Sequence, residues 1–469
     1  MLKLFNSLSL KKEAFKPLKG KQVRIYSCGP TVYDYAHIGN FRAYLFYDLL
    51  KRWLEHEGYA LRSVMNITNV DDKTIKGSHE EGKTLKEFTD FYEQAFFQDL
   101  NALGIKPYDF YPRATDFVPQ MIQLIEKLLK KGMAYKGEDG SVYFKISAFK
   151  KYGRLSHLNL KELKAGASGR LQSDEYTKES VSDFALWKAY ARDDRMVFWD
   201  APFGRGRPGW HVECSAMSMH YLGESFDLHT GGVDLKFPHH ENEIAQSEGA
   251  TGKRFVRYWL HNEHLFVEGK KMSKRFKNFY TLRDVLAKGY SPRAVRLLLL
   301  STHYRSQLNF TLEALDNAEN TLRKMGEFAF RLRGANAVNG EKHLNSVLDK
   351  ARKEFANALN DDLDVANALT SIFSFMREFN KAIDKGKVSS GQARGALDFL
   401  KDFDGVFSVV DWSATQEVSL EKEIKVLIEE RERARKAKDF KKADEIRALL
   451  KSKGIILEDT SKGVVWKKG

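Results

Sequence analysis

The stretch that most constrains the fold is VRIYSCGPTVYDYAHIGNFRAYLFYDLLKRWLEHEGYALRSVMNITNV, residues 23–70. Residues 23–32 are mostly apolar and end in a Gly-Pro turn, so they read as a buried strand. Phe41, Leu45, Leu49 and Trp53 then recur every fourth residue and Gly58 follows, which predicts an amphipathic helix with a glycine stop. Residues 61–70 read as a second strand. Strand, helix and strand make a βαβ unit, which implies a parallel sheet and an α/β fold. Ligands of such sheets sit at strand C-terminal ends and helix N-termini, here Cys28 to Asn40 and Thr68.

The rest of the chain changes character twice. Residues 111–200 read as an insertion, with a helix carrying Ile122, Ile125 and Leu128, a short strand SVYFKI and a loop AGASGR. From 208 to 261 the α/β character returns. After residue 310 the chain is helical, with Leu369, Phe373, Met376 and Phe379 at helical spacing and GANAVNG (334–340) as a linker. A basic helix over 429–453 and a β-like end close the sequence.

The formal charge is +14, from 77 Lys and Arg against 63 Asp and Glu, which favours a polyanionic partner. From Arg431 to Gly469 there are thirteen basic and six acidic residues, so half of the excess lies in that end; a solvated helix face would account for the same run. No apolar run reaches membrane length and no leader pattern is visible, so a cytoplasmic protein without membrane contact is expected. The two cysteines, Cys28 and Cys214, are then buried small hydrophobes or metal ligands rather than a disulfide.

Three short motifs carry chemistry. In GGVDLKFPHHENE (231–243), Pro238 is expected at the first helical position, which puts His239 and Glu243 on one face. An imidazole and a carboxylate so placed can hold a divalent metal, though a satisfied surface pair has the same spacing. HIGN (37–40) lies where the first strand gives way to the first helix, suited to phosphate oxygens, though a turn with incidental polar residues reads the same. KKMSKR (270–275) is a basic stretch in which Lys271 and Lys274 can meet developing phosphate charge, though alone it reads equally as a solvated basic loop. GRGRPG (204–209) fits a dinucleotide-site pattern, but no clear strand leads into it, and Pro208 and Trp210 are not expected to open a helix. EGATGK lacks the first glycine of a P-loop.

Taken together, a first βαβ unit with HIG at its turn and a late KMSK loop resemble the class I aminoacyl-tRNA synthetases. CGPTVYDYAHIGNFR, NITNVDDK, DFALWK, GRGRPGWHVECSAM, DLHTGGVDLKFPHHENEIAQS, KKMSKRFKNF, THYRSQLNF and ARKAKDFKKADEIRALLKSKGIILEDT resemble, in order, segments of the cysteinyl-tRNA synthetases. The resemblance covers nearly the whole chain. It implies a Rossmann-like catalytic domain, parallel-sheeted and interrupted by an insertion, then an α-helical bundle and a small mixed anticodon-binding domain. The implied boundaries are 1–110 and 201–262 for the catalytic halves and 111–200 for the insertion. The lysine-loop region would be 263–312, the helical tRNA-binding domain 313–410 and the basic anticodon-binding domain 411–469.

The resemblance also implies roles. ATP-dependent ligation of L-cysteine to its tRNA would run through cysteinyl-adenylate. Zn²⁺ would be held by Cys28, Cys214, His239 and Glu243, with His240 the adjacent alternative to His239. Zinc favours a thiolate over a hydroxyl, which separates cysteine from its isostere serine where ordinary side chains cannot. Four protein ligands would close a tetrahedral zinc, so substrate sulfur would have to come as a fifth ligand or displace Glu243. His37, Asn40, Lys271 and Lys274 would be catalytic, and Mg²⁺ would accompany ATP. Gly39, Gly231, Gly232 and Asp234 would join His37, Asn40 and Lys274 around the nucleotide. Gly29, Thr68, Trp210 and His229 would line the cysteine pocket. Asp459, in the basic end, would read a guanine edge of the anticodon, and the protein would be a monomer.

Three positions depart from the family pattern: Asn40 stands where a second His is common, Arg275 where Ser is common, and Phe440 where Trp is common. None removes a zinc ligand or either lysine. Two other readings share these motifs. A small-molecule ligase joining cysteine to an amino-sugar would not need the basic end, and a non-catalytic tRNA-binding descendant would not need both cysteines, His37 and the lysines.

Overall fold

The computed structural model describes residues 1–158, 183–272, 278–412, 426–437, 439–452, 455–460 and 463–468. The AGASGR loop, Lys274 and Arg275 lie outside them. The chain forms two compact units. The first comprises Met1–Glu319, Lys350–Phe373 and Gly405–Ser408, and the second Asn320–Asp349, Ser374–Asp404 and Val409–Gly469.

The first unit begins with an antiparallel hairpin, β1 (Lys3–Asn6) and β2 (Lys11–Ala14). The expected βαβ unit follows as β3 (Gln22–Ser27), α1 (Ile38–His56) and β4 (Ala60–Met65), with β3 and β4 parallel from Gln22↔Ala60 to Ser27↔Met65. Phe41, Leu45, Leu49 and Trp53 are all buried, so the four-residue spacing is the core face of α1. Gly58, at φ +80°, takes the left-handed conformation that ends the helix. Both strands stop five residues short of the sequence reading. The loops beyond them remain joined, because Val32 N–H donates to Thr68 O (3.1 Å) and Thr68 N–H to Pro30 O (3.0 Å).

Helices α2 (Asp72–Glu80), α3 (Leu85–Ala102) and α4 (Val118–Lys130) come next. A four-stranded antiparallel sheet follows: β5 (Ala134–Lys136), β6 (Val142–Phe144), β7 (Phe184–Ala189) and β8 (Gly206–Pro208) in that order. GRGRPG therefore runs into a strand, and Trp210 does open a helix, contrary to expectation: α5 (Trp210–Leu222), with Gly209 at its N-cap. Proline closes β8, and the single glycine turns the chain.

The parallel sheet is completed by β9 (Phe226–Gly232), α6 (His239–Thr251) and β10 (Val256–Asn262), giving the order β10-β9-β3-β4. The chain leaves β3 for β4 on one side, while β9 and β10 lie on the other. The switch point therefore falls between β3 and β9, where open α/β sheets bind ligands. A small sheet of β11 (Leu265–Val267), β12 (Lys270–Lys271) and β13 (Leu308–Phe310) follows, together with α7 (Leu282–Ala287) and α8 (Pro292–Leu300).

Beyond residue 310 the chain is helical, as the spacing predicts: α9 (Leu312–Arg333), α10 (His343–Asn360), α11 (Val365–Asp384) and α12 (Ser390–Phe407). On α11, Leu369, Met376 and Phe379 are buried while Phe373 is exposed. The C-terminal end has α13 (Phe440–Ser452) and an antiparallel hairpin, β14 (Ile455–Thr460) and β15 (Gly463–Lys468). Ile446, Leu450, Ile455 and Leu457 form its small core. Among the described residues no helix is long and apolar enough to cross a membrane.

Candidate active site and metal centre

Cys28 is the first residue beyond β3, and its N–H donates to Thr230 O on β9 (3.1 Å), which fixes it at the switch point. Gly29 follows because nothing larger fits: a Cβ there would stand 1.8 Å from the Asn66 carbonyl oxygen. Its N–H donates to Asn66 Oδ1 (2.9 Å). Cys214 is buried in the second turn of α5. His239 and Glu243 come from α6, but Pro238 is the N-cap after a cis peptide bond, not the first helical residue. The phase survives: His239 opens the helix and Glu243 lies one turn on.

The donor atoms of Cys28, Cys214, His239 and Glu243 all lie within 4.8 Å of one another, and all four residues are buried. Cys28, His229, His240 and Glu243 satisfy the same condition, so the neighbour of His239 is also within reach. Cys28 Sγ is 3.2 Å from His240 Nε2. His229 Nε2 is 2.9 Å from Glu243 Oε2, and His239 Nε2 is 3.2 Å from Glu243 Oε1. That last contact lacks hydrogen-bond geometry, so Glu243 Oε1 is buried with no hydrogen-bond partner.

This donor set fits a soft, divalent cation. Burial raises the Glu243 carboxyl well above its ordinary range, and burial followed by the neighbouring Cys214 thiol does the same to Cys28. Burial also keeps His239 and His240 neutral and lowers His229 to about 3. Neutral imidazoles are ready ligands, and a cation would offset the cost of ionising the thiols and the carboxyl.

A further layer of side chains surrounds these donors, and sequence spacing did not reveal it. His211 Nδ1 lies 3.0 Å from His239 Nδ1. His240 Nδ1 lies 2.8 Å from His261 Nε2, whose Nδ1 is 2.8 Å from Ser7 Oγ. Trp210 stacks on His239 at 4.3 Å and 25°, and Trp259 on His229 at 4.5 Å and 19°. Thr68 donates to the buried carboxyl of Glu213 (3.0 Å) and accepts from Asn66 Nδ2 (3.1 Å). The resemblance supplies Thr68, Trp210, His229 and His240 of this layer; for His211 and Glu213 the only sequence signal is that they precede Cys214 on the same helix.

The centre borders a cavity of about 630 Å³ lined by Cys28, Gly29, His37, Gly39, Asn40 and Trp210, with Gly232 and Asp234 from the end of β9. Thr68, His229 and Gly231 are buried and are not among the lining residues. A larger cleft, about 1010 Å³, is lined by the α2–α3 hairpin and residues 113–116 and 195–199, and holds none of the candidate residues.

At the helix start, His37 is the N-cap of α1. Its Nδ1 accepts from Asn40 N–H (3.1 Å), and Asn40 Oδ1 accepts from His37 N–H (3.1 Å). Burial lowers His37 to about 4, so it is a neutral hydrogen-bonding group. Asparagine thus supplies the reciprocal cap and keeps its amide N–H₂. Ile38 N–H donates to Tyr280 O (3.0 Å), and the His37 ring meets Phe279 edge-on at 5.4 Å, which ties the end of the lysine-bearing segment to the turn that opens α1. Lys271 is in β12, paired with Phe266.

Comparison with known proteins gives a consistent result. Residues 14–320 match the class I (C) tRNA synthetase catalytic domain, 354–411 the DALR domain and 417–466 the cysteinyl-tRNA ligase anticodon-binding domain. The chain is 47% identical over 468 residues to the cysteine–tRNA ligase of Protochlamydia amoebophila, covering 100% of this chain and 98% of that one. It is 50% identical over 470 residues to that of Brachyspira hyodysenteriae, covering 99% and 98%. A solved methionyl-tRNA synthetase from Mycobacterium tuberculosis, in complex with methionyl-adenylate, shares the fold with a TM-score of 0.63 at 17% identity, covering 82% of this chain and 90% of that one. The Agrobacterium radiobacter leucyl-tRNA synthetase does so with a TM-score of 0.60 at 13% identity, covering 84% and 85%.

Proposed function

Since the chain belongs to the cysteine–tRNA ligases, class I aminoacyl-tRNA synthetases, we propose that it attaches L-cysteine to the 3′ end of tRNA(Cys) through cysteinyl-adenylate, with Zn²⁺ selecting the substrate thiolate. The observation that carries the zinc reading is the meeting of four buried donors, from the loop after β3 and from α5 and α6, beside a cavity that also holds the start of α1.

Cys28, Cys214, His239 and Glu243 would hold the zinc. When bound, the metal supplies preference for a thiolate over a hydroxyl and a lowered thiol pKa. Gly29, Thr68, Trp210 and His229 would shape the amino-acid side. Gly232 and Asp234, with Gly231, would receive the adenosine. Gly231 is demanded by its neighbour, since a Cβ there would come 2.3 Å from the buried His240 ring; a Cβ on Gly232 would come 2.3 Å from Asp234 Oδ1, a side chain free to turn aside.

In the first step a cysteine carboxylate oxygen attacks the α-phosphorus of ATP and pyrophosphate leaves; Mg²⁺ would accompany the nucleotide and offset its charge. In the second, a terminal ribose hydroxyl attacks the activated carbonyl carbon and AMP leaves. No protein nucleophile is needed. His37, Gly39 and Asn40 would orient the phosphates from the helix start, and Lys271 and Lys274 would offset charge on the leaving pyrophosphate. The helical region 313–410 and the basic end 411–469 would carry the tRNA, with Asp459 at a guanine edge. The chain would act in the cytoplasm as a monomer.

The test is charging of total tRNA with labelled cysteine, beside protein stripped by a chelator and protein re-loaded with zinc. Charging that is lost on stripping and restored by zinc supports the reading. Cysteine-dependent pyrophosphate exchange without tRNA charging by the zinc-loaded protein would replace it with the small-molecule ligase.

A further inference from the structure

An aromatic path leads out of the cavity onto the surface. Tyr33, Tyr35 and Tyr92 line the cavity. Tyr35 meets Tyr92 edge-on at 5.5 Å and Phe91 at 6.1 Å, and Phe91 meets Tyr92 at 5.1 Å. Phe91 does not line the cavity, yet 48% of its surface is open to solvent, and Tyr33 at the rim is 39% open. Cations sit over these rings: Lys73 Nζ is 4.9 Å from the Tyr33 centroid, Lys83 Nζ 5.5 Å from that of Phe91, and the Arg283 guanidinium 4.9 Å from that of Tyr35. Lys83 is shared with Glu81 Oε2 at 2.7 Å.

Tyr33 at the cavity rim and Phe91 at the outer end of the ring path are both open enough to receive a flat partner. Phe91 does not line the cavity, so an amino acid or a nucleotide held among the lining residues would not need it. A substrate that puts one end into the cavity and trails the rest over its rim would. Rings with flanking cations match a single-stranded nucleic acid, whose bases stack on aromatic faces while its phosphates meet the cations.

We infer that Tyr33 and Phe91 form a stacking platform for the unpaired 3′ nucleotides of tRNA, guiding the terminal ribose into the cavity. The inference rests on the functional reading only in taking tRNA as the long substrate. Bases would stack on sequence-tolerant faces, and Lys73 and Lys83 would take phosphates.

The test measures equilibrium binding of a tRNA transcript and of the same transcript lacking its unpaired 3′ nucleotides. The full chain is compared with its Phe91→Ala and Phe91→Trp variants, without cysteine or ATP. Loss of one stacked base is expected to cost about tenfold. Wild type and F91W should therefore prefer the intact transcript, and F91A should lose about tenfold of that preference while binding the truncated transcript as wild type does. An F91A protein that keeps the full preference overturns the platform. So does one that binds both transcripts equally more weakly, because Phe91 would then be supporting the fold. If the wild type prefers the intact transcript through Phe91 but never charges cysteine, the amino-acid reading falls and the platform stands.

Discussion

His239 Nε2 stands 3.2 Å from Glu243 Oε1, one turn along the same helix, and that oxygen makes no hydrogen bond. A buried acceptor without a donor is costly, and a cation between the two side chains would remove the cost. His240 competes for the role, since it also lies within reach of Cys28 and Glu243. Zinc titration against a chromophoric chelator separates the two. Glu243→Gln and His239→Asn should lower affinity by more than the ~10–100-fold that loss of an outer-shell partner costs, and His240→Asn by no more than that. The reverse order for the two histidines would move the metal to the Cys28, His229, His240 and Glu243 set.

His37 gives a pH signature. Burial lowers it from 6.5 to about 4. The unfolded imidazole therefore takes up its proton first as pH falls, so this residue's share of stability is intact above about pH 6.5 and declines toward pH 4. His37→Asn keeps a side-chain acceptor at the N-cap but cannot titrate. Urea midpoints of the wild type should fall more steeply than those of H37N between about pH 6.5 and 4.5, and run parallel above. Parallel curves throughout would mean that His37 is not held neutral by the fold.

How much of this was legible in the sequence follows the range of each interaction. The βαβ unit was readable because Phe41, Leu45, Leu49 and Trp53 mark one helix face, and all are buried. His239 and Glu243 were readable because one helical turn joins them. Cys214 could be joined to Cys28 only by resemblance, since 185 intervening residues carry no local signal. His211, Glu213 and His261 were missed for the same reason: each meets its partner across elements, and a buried polar residue in a helix or strand has no periodicity of its own. The helix start at Trp210 was missed because Pro208, one residue before the cap glycine, reads as a breaker when it in fact ends a strand.

Gly29 is a steric requirement of the switch point. A Cβ would lie 1.8 Å from the Asn66 carbonyl oxygen and 2.9 Å from Met65 Cγ. The first contact is backbone, so the loop after β3 or the loop after β4 must move. Gly29→Ala should cost about 1–3 kcal/mol by overpacking, seen as a lower denaturant midpoint. Because Cys28 is the neighbour, zinc affinity should fall as well. Wild-type stability and zinc affinity together in G29A would show that the loops yield freely.

Asp48 and Arg296 set the strongest prediction outside the site. Asp48 Oδ2 is 2.5 Å from Arg296 Nη2 and both side chains are buried. Burial alone would raise the Asp48 carboxyl, but the Arg296 and Arg52 guanidinium groups and the Lys106 N–H hold it below the usual carboxylate range. A carboxyl lowered by folding contributes stability that is present above its unfolded value, about 3.8, and is lost as pH falls through the lower folded value. Arg296 also donates to the carbonyls of Leu103 (3.1 Å) and Phe407 (2.5 Å), so one guanidinium joins four segments of the first unit. Arg296→Met leaves the carboxylate short of its main partner and should cost ~3–5 kcal/mol. Asp48→Asn in the same chain removes the stranded charge, so R296M/D48N should recover part of that loss even though it has one ion pair fewer. The comparison also has a pH arm: without Arg296 burial moves the folded carboxyl up toward its unfolded value, so R296M should lose less stability than the wild type as pH falls below about 3.8, and the double variant should lose this residue's pH dependence altogether. A double variant less stable than R296M would mean that the lost carbonyl contacts, rather than the stranded charge, set the cost.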